Sequence, residues 1–129
     1  MADRRIQLGR KGEQIIAAAL HGRHFTIIDH NWRCPFGEVD LVAERNGEWY
    51  FVEVRTRREP ALISPEQGLT AQKRRRMEKV ARSYVGQHAR DEEVIWHLSF
   101  AAVIIDRDGH IKRLTFYPDL AGDGLQLII

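Results

Sequence analysis

The sequence predicts an α/β fold, a mixed β-sheet flanked by helices, and three observations carry that reading. The hydrophobic period changes along the chain. It is helical near the start, alternates through Gly37–Arg58, turns helical again after Ser64, and becomes a nearly continuous apolar run after Trp96. Within the alternating part, Asn46-Gly47 is the dipeptide most typical of a two-residue hairpin turn, because both central residues of that turn need positive φ. The resulting order is helix, three strands, helix, two strands. Such an order buries its apolar faces best as a sheet with helices packed on it.

The first helix is expected over about Gln7–His21, where Ile16, Ala17 and Leu20 form one stripe with Ile15 and Ala19 beside it. Glu13 falls three residues before Ile16 and four before Ala17, so it lies on the inward stripe. An acid there is costly unless it is paired or metal-bound, although Arg10, Lys11 or the helix dipole of the first turns could also satisfy it. Gly22 can end the helix. Phe25–Asp29 reads as a short strand, and the segment from His30 to Phe36 leads into the hairpin, with Trp32 and Phe36 as packing residues. After the hairpin, Glu59–Pro65 reads as a loop. Ser64-Pro65-Glu66-Gln67 carries a helix start, and that helix is expected to run to about Gln87. Its apolar stripe contains Leu69, Met77, Val80, Ala81, Tyr84 and Val85. Trp96–Asp106 fits a strand buried on both faces. Asp108-Gly109 makes the next turn, with His110 a solvated histidine beside it, and Ile111–Tyr117 alternates as a last strand. The apolar end, Leu-Gln-Leu-Ile-Ile, either docks on the domain or covers a second subunit.

The central hairpin sets two carboxylates against each other. If Arg45 pairs with Glu48 across the turn, counting outward puts Asp40 opposite Glu53 and Glu38 opposite Arg55; a bulge or a three-residue loop would shift the register. Directly opposed residues share one face of the sheet. The other face then carries Val39, Leu41 and Ala43 against Val54, Val52 and Tyr50, a plausible core surface. Two facing carboxylates repel unless a proton, a cation or a metal separates them. Otherwise they stand as solvated residues on an open face, a reading weakened by Val42 and Phe51 on that same face.

At 129 residues the chain is long enough for one domain, 1–129, with a single core. Its 43% hydrophobic and 29% charged residues fit a soluble globular protein. No apolar run approaches the roughly 18–20 residues of a membrane span, and the first residues lack an apolar signal region. The single cysteine, Cys34, excludes an internal disulfide framework and a clustered-thiol zinc site, so a cytoplasmic location is expected. A net charge of +2 names no partner, but its distribution is uneven. Arg55, Arg57 and Arg58 follow the second hairpin strand. Lys73, Arg74, Arg75 and Arg76 run together on the second helix, with Lys79 and Arg82 after them. Such local basic density is the footprint of a polyanion partner, against the plainer reading of a solvated helix face. Lys73, four residues before Met77, projects from the end of the apolar stripe and can reach back toward the carboxylates. Arg74 and Arg75 face outward.

A carboxylate pair on adjacent strands, followed two residues on by a base, suits divalent-metal hydrolysis of phosphodiesters. Magnesium prefers oxygen ligands, and commonly takes one or two protein carboxylates together with substrate phosphate. Glu53 and Arg55 share a face by alternation, so Asp40, Glu53 and Arg55 converge.

Gly37-Glu38-Val39-Asp40-Leu41-Val42-Ala43, then Phe51-Val52-Glu53-Val54-Arg55-Thr56-Arg57, then Lys73 heading a helix, closely resembles the YraN family of small bacterial proteins. Gly12-Glu13 matches that family's early Gly-Glu pair. The resemblance spans roughly residues 8–106 and implies a restriction-endonuclease-like fold akin to archaeal Holliday-junction resolvases. It also implies a Mg2+ or Mn2+ site at Asp40 and Glu53, supported by Glu13, and DNA as ligand, branched or otherwise structured. Arg57, Arg58, Lys73, Arg74, Arg75 and Arg76 are the expected DNA contacts. Resolvase-like relatives and the apolar terminus make a homodimer a reasonable expectation, and no membrane association is expected. Two positions depart from the pattern. Arg55 stands where the superfamily carries lysine, and arginine stays charged and cannot act as a general base. Ala101 stands where relatives often carry an acid. The expected function is therefore a metal-dependent endonuclease-like protein, the alternative a catalytically degenerate DNA-binding module of the same fold.

Overall fold

The computed structural model describes residues 3–90, 92–122 and 126–129. Helix α1 spans Arg4–Gly22 and is capped by Asp3, whose side chain accepts from the Arg5 N–H. Strands β1 (Thr26–Cys34), β2 (Gly37–Arg45) and β3 (Glu48–Arg58) follow, then helix α2 (Ala71–His88) and strands β4 (Trp96–Ile105), β5 (Ile111–Tyr117) and β6 (Leu127–Ile128). The six strands lie in sequence order in one mixed sheet. β3 and β4 pair in parallel, and the other neighbours are antiparallel. The parallel pair needs a crossover, which α2 supplies.

The α/β expectation holds, and alternation along the central strands explains the layering. Leu41, Ala43, Tyr50, Val52 and Val54 point to α1 and join Ile16 and Leu20 in one core, closed by Ala101, Val103 and Phe116. Val42 and Phe51 point the other way, to Val80, Ala81 and Tyr84 of α2. β4 is buried on both faces, as its continuous apolar run requires.

Four boundaries and packings differ from the sequence reading. β1 continues to Cys34 rather than ending near Asp29, because the run beyond it pairs with β2 from Asp29–Val42 to Cys34–Gly37. The start at Ser64 belongs to a separate 3-10 turn, Pro65–Gly68, in which the Ser64 N–H donates to Gln67 Oε1 at 2.8 Å. Leu69 then breaks the helical path, and Thr70 caps α2 by accepting from the Lys73 N–H at 3.1 Å. Val39 packs with Val42, Phe51 and Trp32 on the α2 side. The strict period-two reading fails there, opposite a stretch of β1 in which Asn31, at φ 47°, lies between the His30–Leu41 and Trp32–Val39 pairs. Phe36 is 52% exposed at the β1–β2 turn, whereas Trp32 packs edge-on against Tyr84, ring centroids 5.0 Å apart. At the other end, the apolar terminus docks on its own domain. Leu127 and Ile128 pair with Phe116 and Thr115, and Leu127 and Ile129 pack on the α1-side core.

Candidate functional site

The hairpin turns as its dipeptide dictates, with Asn46 at φ 55° and Gly47 at φ 80°. The ladder then runs in the expected register from Arg45–Glu48 to Leu41–Val52. Beyond that pair the two strands separate. β2 stays with β1, through Val39–Trp32 and Glu38–Arg33, while β3 stays with β4, from Glu53–Phe100 to Arg58–Ile105. Asp40 sits where they part. Its Oδ2 accepts from the Val54 N–H at 2.8 Å, so a side chain replaces the next ladder bond. The expected pairing of Glu38 with Arg55 is lost at this split. Glu38 instead meets Arg33 of β1, at 3.0 Å.

The split opens a cleft of about 350 Å³ lined from both helices as well as the strands, by Glu13, Asp40, Glu53, Arg55, Lys73 and Arg76 among others. Glu53 is 9% exposed. Its Oε1 lies 2.7 Å from Lys73 Nζ and 3.4 Å from Arg55 Nη2. The Nε of Arg55 is buried and has no hydrogen-bond partner among the described residues. Glu13 reaches the cleft because α1 lies unusually close to β3. A Cβ at Gly12 would stand 1.7 Å from Thr56 Oγ1, so only glycine lets the helix sit there, and the residue after it overhangs the split.

The acids resist ionisation together. Burial, and secondarily the charge of Glu53, pushes the Asp40 carboxyl up to about 8, against the opposing hydrogen bond from Val54. Burial also pushes Glu53 up to about 7, with Arg55 acting in the other direction. Glu13 is raised by burial, and its bond with Asn31 opposes this. The ammonium of Lys73 beside Glu53 Oε1 favours the carboxylate form there.

The basic residues expected to act together are divided by local geometry. Lys73 and Arg76, one helical turn apart, both line the cleft. Arg74 is bound to the Leu120 carbonyl at 2.6 Å, and Arg75 is exposed. Arg57 donates to its neighbour's carbonyl, Thr56 O, at 3.2 Å. Arg58 lies on the opposite face from Arg57 and donates to Asp106 O and Arg107 O at 3.2 and 3.3 Å. Ala101 faces the α1-side core, away from Glu53, so the missing acid removes no ligand from the cleft as it is built.

Two clusters escaped the sequence reading. Asp106, Asp108 and His110, on the β4–β5 turn, offer three ligand atoms within 4.8 Å of one another. Among the described residues theirs is the one His/Cys/Asp/Glu trio that converges so closely. Glu13, Asp40 and Glu53 share a cleft without closing to that distance. The signal was present as an Asp-x-Asp-x-His run around Gly109, read there as a turn with a lone histidine. The second cluster ties the 3-10 turn to β5. Arg113 grips both oxygens of Glu66, at 2.5 and 2.8 Å, and Tyr117 Oη donates to Glu66 at 2.6 Å. These bonds hold the Glu66 carboxyl down at about 2.

The cleft residues from Glu13 to Lys73 fall within the part of the chain shared with other proteins. A UPF0102 protein of Roseiflexus castenholzii is 34% identical over 107 residues, covering 81% of this chain and 85% of the relative. One from Porphyromonas gingivalis is 36% identical over 106 residues, 82% of this chain and 77% of the relative. A third, from Moorella thermoacetica, is 38% identical over 78 residues, 60% and 65% of the two chains. The family profile described as "Uncharacterised protein family UPF0102" matches residues 12–105, and the chain belongs to that family.

Proposed function

We propose that this chain is a metal-dependent endonuclease-like protein that binds DNA and hydrolyses phosphodiesters in branched or otherwise structured substrates. The observation that carries the reading is the convergence of two buried carboxylates, Asp40 and Glu53, with Lys73, Arg55 and Arg76 in one cleft. Its motifs resemble those of the YraN family, and through it the restriction-endonuclease-like superfamily and archaeal Holliday-junction resolvases.

The donor set suits a hard divalent cation. Asp40 and Glu53 offer only oxygen, they are desolvated, and their mutual repulsion is relieved by positive charge between them. Asp40 and Glu53 would hold Mg2+ or Mn2+, with Glu13 in support. When bound, such an ion polarises a phosphoryl oxygen and acidifies a coordinated water. The chain's own cations divide the remaining work. Arg55 stays protonated, so it orients and neutralises a phosphate oxygen rather than moving a proton. Lys73 can do either, and it is the cation nearest to the acid pair. Arg76, on the rim, extends the positive wall along the substrate backbone.

The decisive experiment is cleavage of duplex, single-stranded and four-way-junction DNA with Mg2+ or Mn2+, comparing wild type with Asp40→Ala and Glu53→Ala. Metal-dependent cleavage lost in both folded variants supports the proposal. DNA binding with no cleavage of any substrate favours a degenerate binding module, the reading suggested by arginine at position 55.

A further inference from the structure

The cleft occupies only one flank of α1. Gly12 faces the sheet at Thr56, and successive helical residues are turned by about 100°. Glu13 and Lys11 therefore project from opposite flanks of the helix. Glu13 overhangs the carboxylate cleft. On the other flank, a groove of about 600 Å³ has five cations around it: Arg4, Arg5 and Lys11 from α1, Arg58 from the end of β3, and Arg107 from the β4–β5 turn. No acid is among the residues that line it.

This concentration is not what the overall charge predicts. A chain with net charge +2 carries five positive side chains from three separate segments in one groove. Two of them are also held without being neutralised. Arg58 donates to the carbonyls of Asp106 and Arg107, and Lys11 Nζ donates to Gly109 O at 3.3 Å. Carbonyl acceptors fix a cation in place and leave its charge available. Among the described residues only Arg5 of the five has a carboxylate partner, Asp3 at 3.7 Å, itself outside the lining.

We infer that this groove is a second phosphate-binding track, which holds DNA backbone on the flank of α1 away from the carboxylate cleft. The inference rests on the DNA reading above and extends it. Arg58 is five residues beyond Glu53 on β3, about 17 Å at strand rise. That rise alone equals roughly five base-pair steps of duplex, and Arg58 also faces the other side of the sheet from Glu53, so the path between the two sites is longer. DNA engaged at the cleft thus reaches the groove only if it continues past that length and around α1, as a junction arm or a bent duplex flank does.

The test is fluorescence anisotropy with a labelled four-way junction and a duplex of about 30 base pairs, in EDTA, across a salt series. Two groove variants are compared, Arg58→Ala/Arg107→Ala and Arg4→Ala/Lys11→Ala. The second leaves the Arg58 hydrogen bonds intact should the first fail to fold. Each pair is expected to weaken binding about tenfold near 0.1 M salt and to reduce the slope of log affinity against log salt by about 2. The cleft pair Lys73→Ala/Arg76→Ala provides the comparison. Unchanged affinity and slope in both folded groove variants, with a loss in the cleft pair, overturns the groove and leaves the cleft reading standing. A loss confined to the groove variants keeps the track and sinks the cleft as a DNA site. No binding by wild type at any salt removes both.

Discussion

Lys73 Nζ lies 2.7 Å from Glu53 Oε1, nearer than Arg55 Nη2, which is 3.4 Å from the same oxygen. A residue 20 positions downstream, on a different element, thus outranks the strand neighbour as the acid's partner. The Thr70 cap fixes where α2 begins, and the first turn of that helix delivers the ammonium to the split. Its counterpart on β3 cannot give up a proton, so any proton transfer by a cationic side chain at the pair falls to Lys73.

Lys73→Ala is therefore expected to lower the cleavage rate about 100-fold or more, with DNA affinity reduced far less. Lys73→Arg restores positive charge and DNA affinity but not turnover. Single-turnover cleavage beside anisotropy separates the two effects, and full activity in Lys73→Arg would reduce the residue to an electrostatic role.

The acid pair makes metal-free stability depend on pH in an unusual direction. Burial raises Asp40 to about 8 and Glu53 to about 7, from ordinary values of 3.8 and 4.5. Between those limits the folded protein holds protons that the unfolded chain releases, so the pair's contribution to stability is fully present at low pH and is lost as pH rises toward 8. Urea unfolding in EDTA should show several kcal/mol less stability at pH 9 than at pH 5, and Asp40→Asn should flatten much of the difference. Metal binding follows the opposite trend. Mg2+ affinity should rise through the same window as the carboxylates lose their protons.

Glu66 behaves in the conventional direction. Its carboxyl is held at about 2, below the ordinary 4.5, chiefly by the Arg113 hydrogen bonds. This stabilisation is present above about pH 4.5 and is lost as pH falls through the folded value. The pair is partly exposed, so solvent screening limits its worth. Arg113→Ala is expected to cost roughly 1 kcal/mol at neutral pH, and less at pH 2, by urea unfolding.

What was legible in the sequence was local. Asn46-Gly47 encodes its own turn, and with it the register from Arg45–Glu48 to Leu41–Val52, but the expected Asp40–Glu53 pair lies just past the end of that ladder; the period of α2 placed Lys73 on the inner edge. What was not legible depends on contacts across the chain. The ladder splits after Leu41–Val52, where β2 continues along β1 and β3 along β4, and no pattern within the hairpin shows it. Glu66 meets Arg113 from 47 residues away. Arg57 and Arg58 read as one patch, but period-two alternation sends them to opposite faces, and Arg58 joins α1 and the β4–β5 turn. Ala101 looked like a missing ligand only until its face was known.

The contact between Gly12 and Thr56 offers a test of how far the site depends on helix placement. A methyl group at position 12 would stand 1.7 Å from Thr56 Oγ1, 3.0 Å from its Cβ and 3.3 Å from its Cγ2. Thr56 is buried, so its side chain has little room to swing away, although its hydroxyl has no partner among the described residues. Gly12→Ala should therefore lift α1 from β3, cost about 1–3 kcal/mol, and carry Glu13 out of register with Asp40 and Glu53. Thr56→Ala alone removes an unpaired buried hydroxyl and should be nearly neutral. Combined with Gly12→Ala it removes the two side-chain atoms Oγ1 and Cγ2 from the collision and leaves only the tight approach to Cβ. The double variant should thus recover much of the lost stability, a coupling of about 1 kcal/mol or more in a double-mutant cycle. Mg2+ affinity measured on the same four proteins shows whether Glu13 supports the site. Affinity that drops in Gly12→Ala and returns with stability in the double variant means that it does, whereas constant affinity limits the metal ligands to the strands.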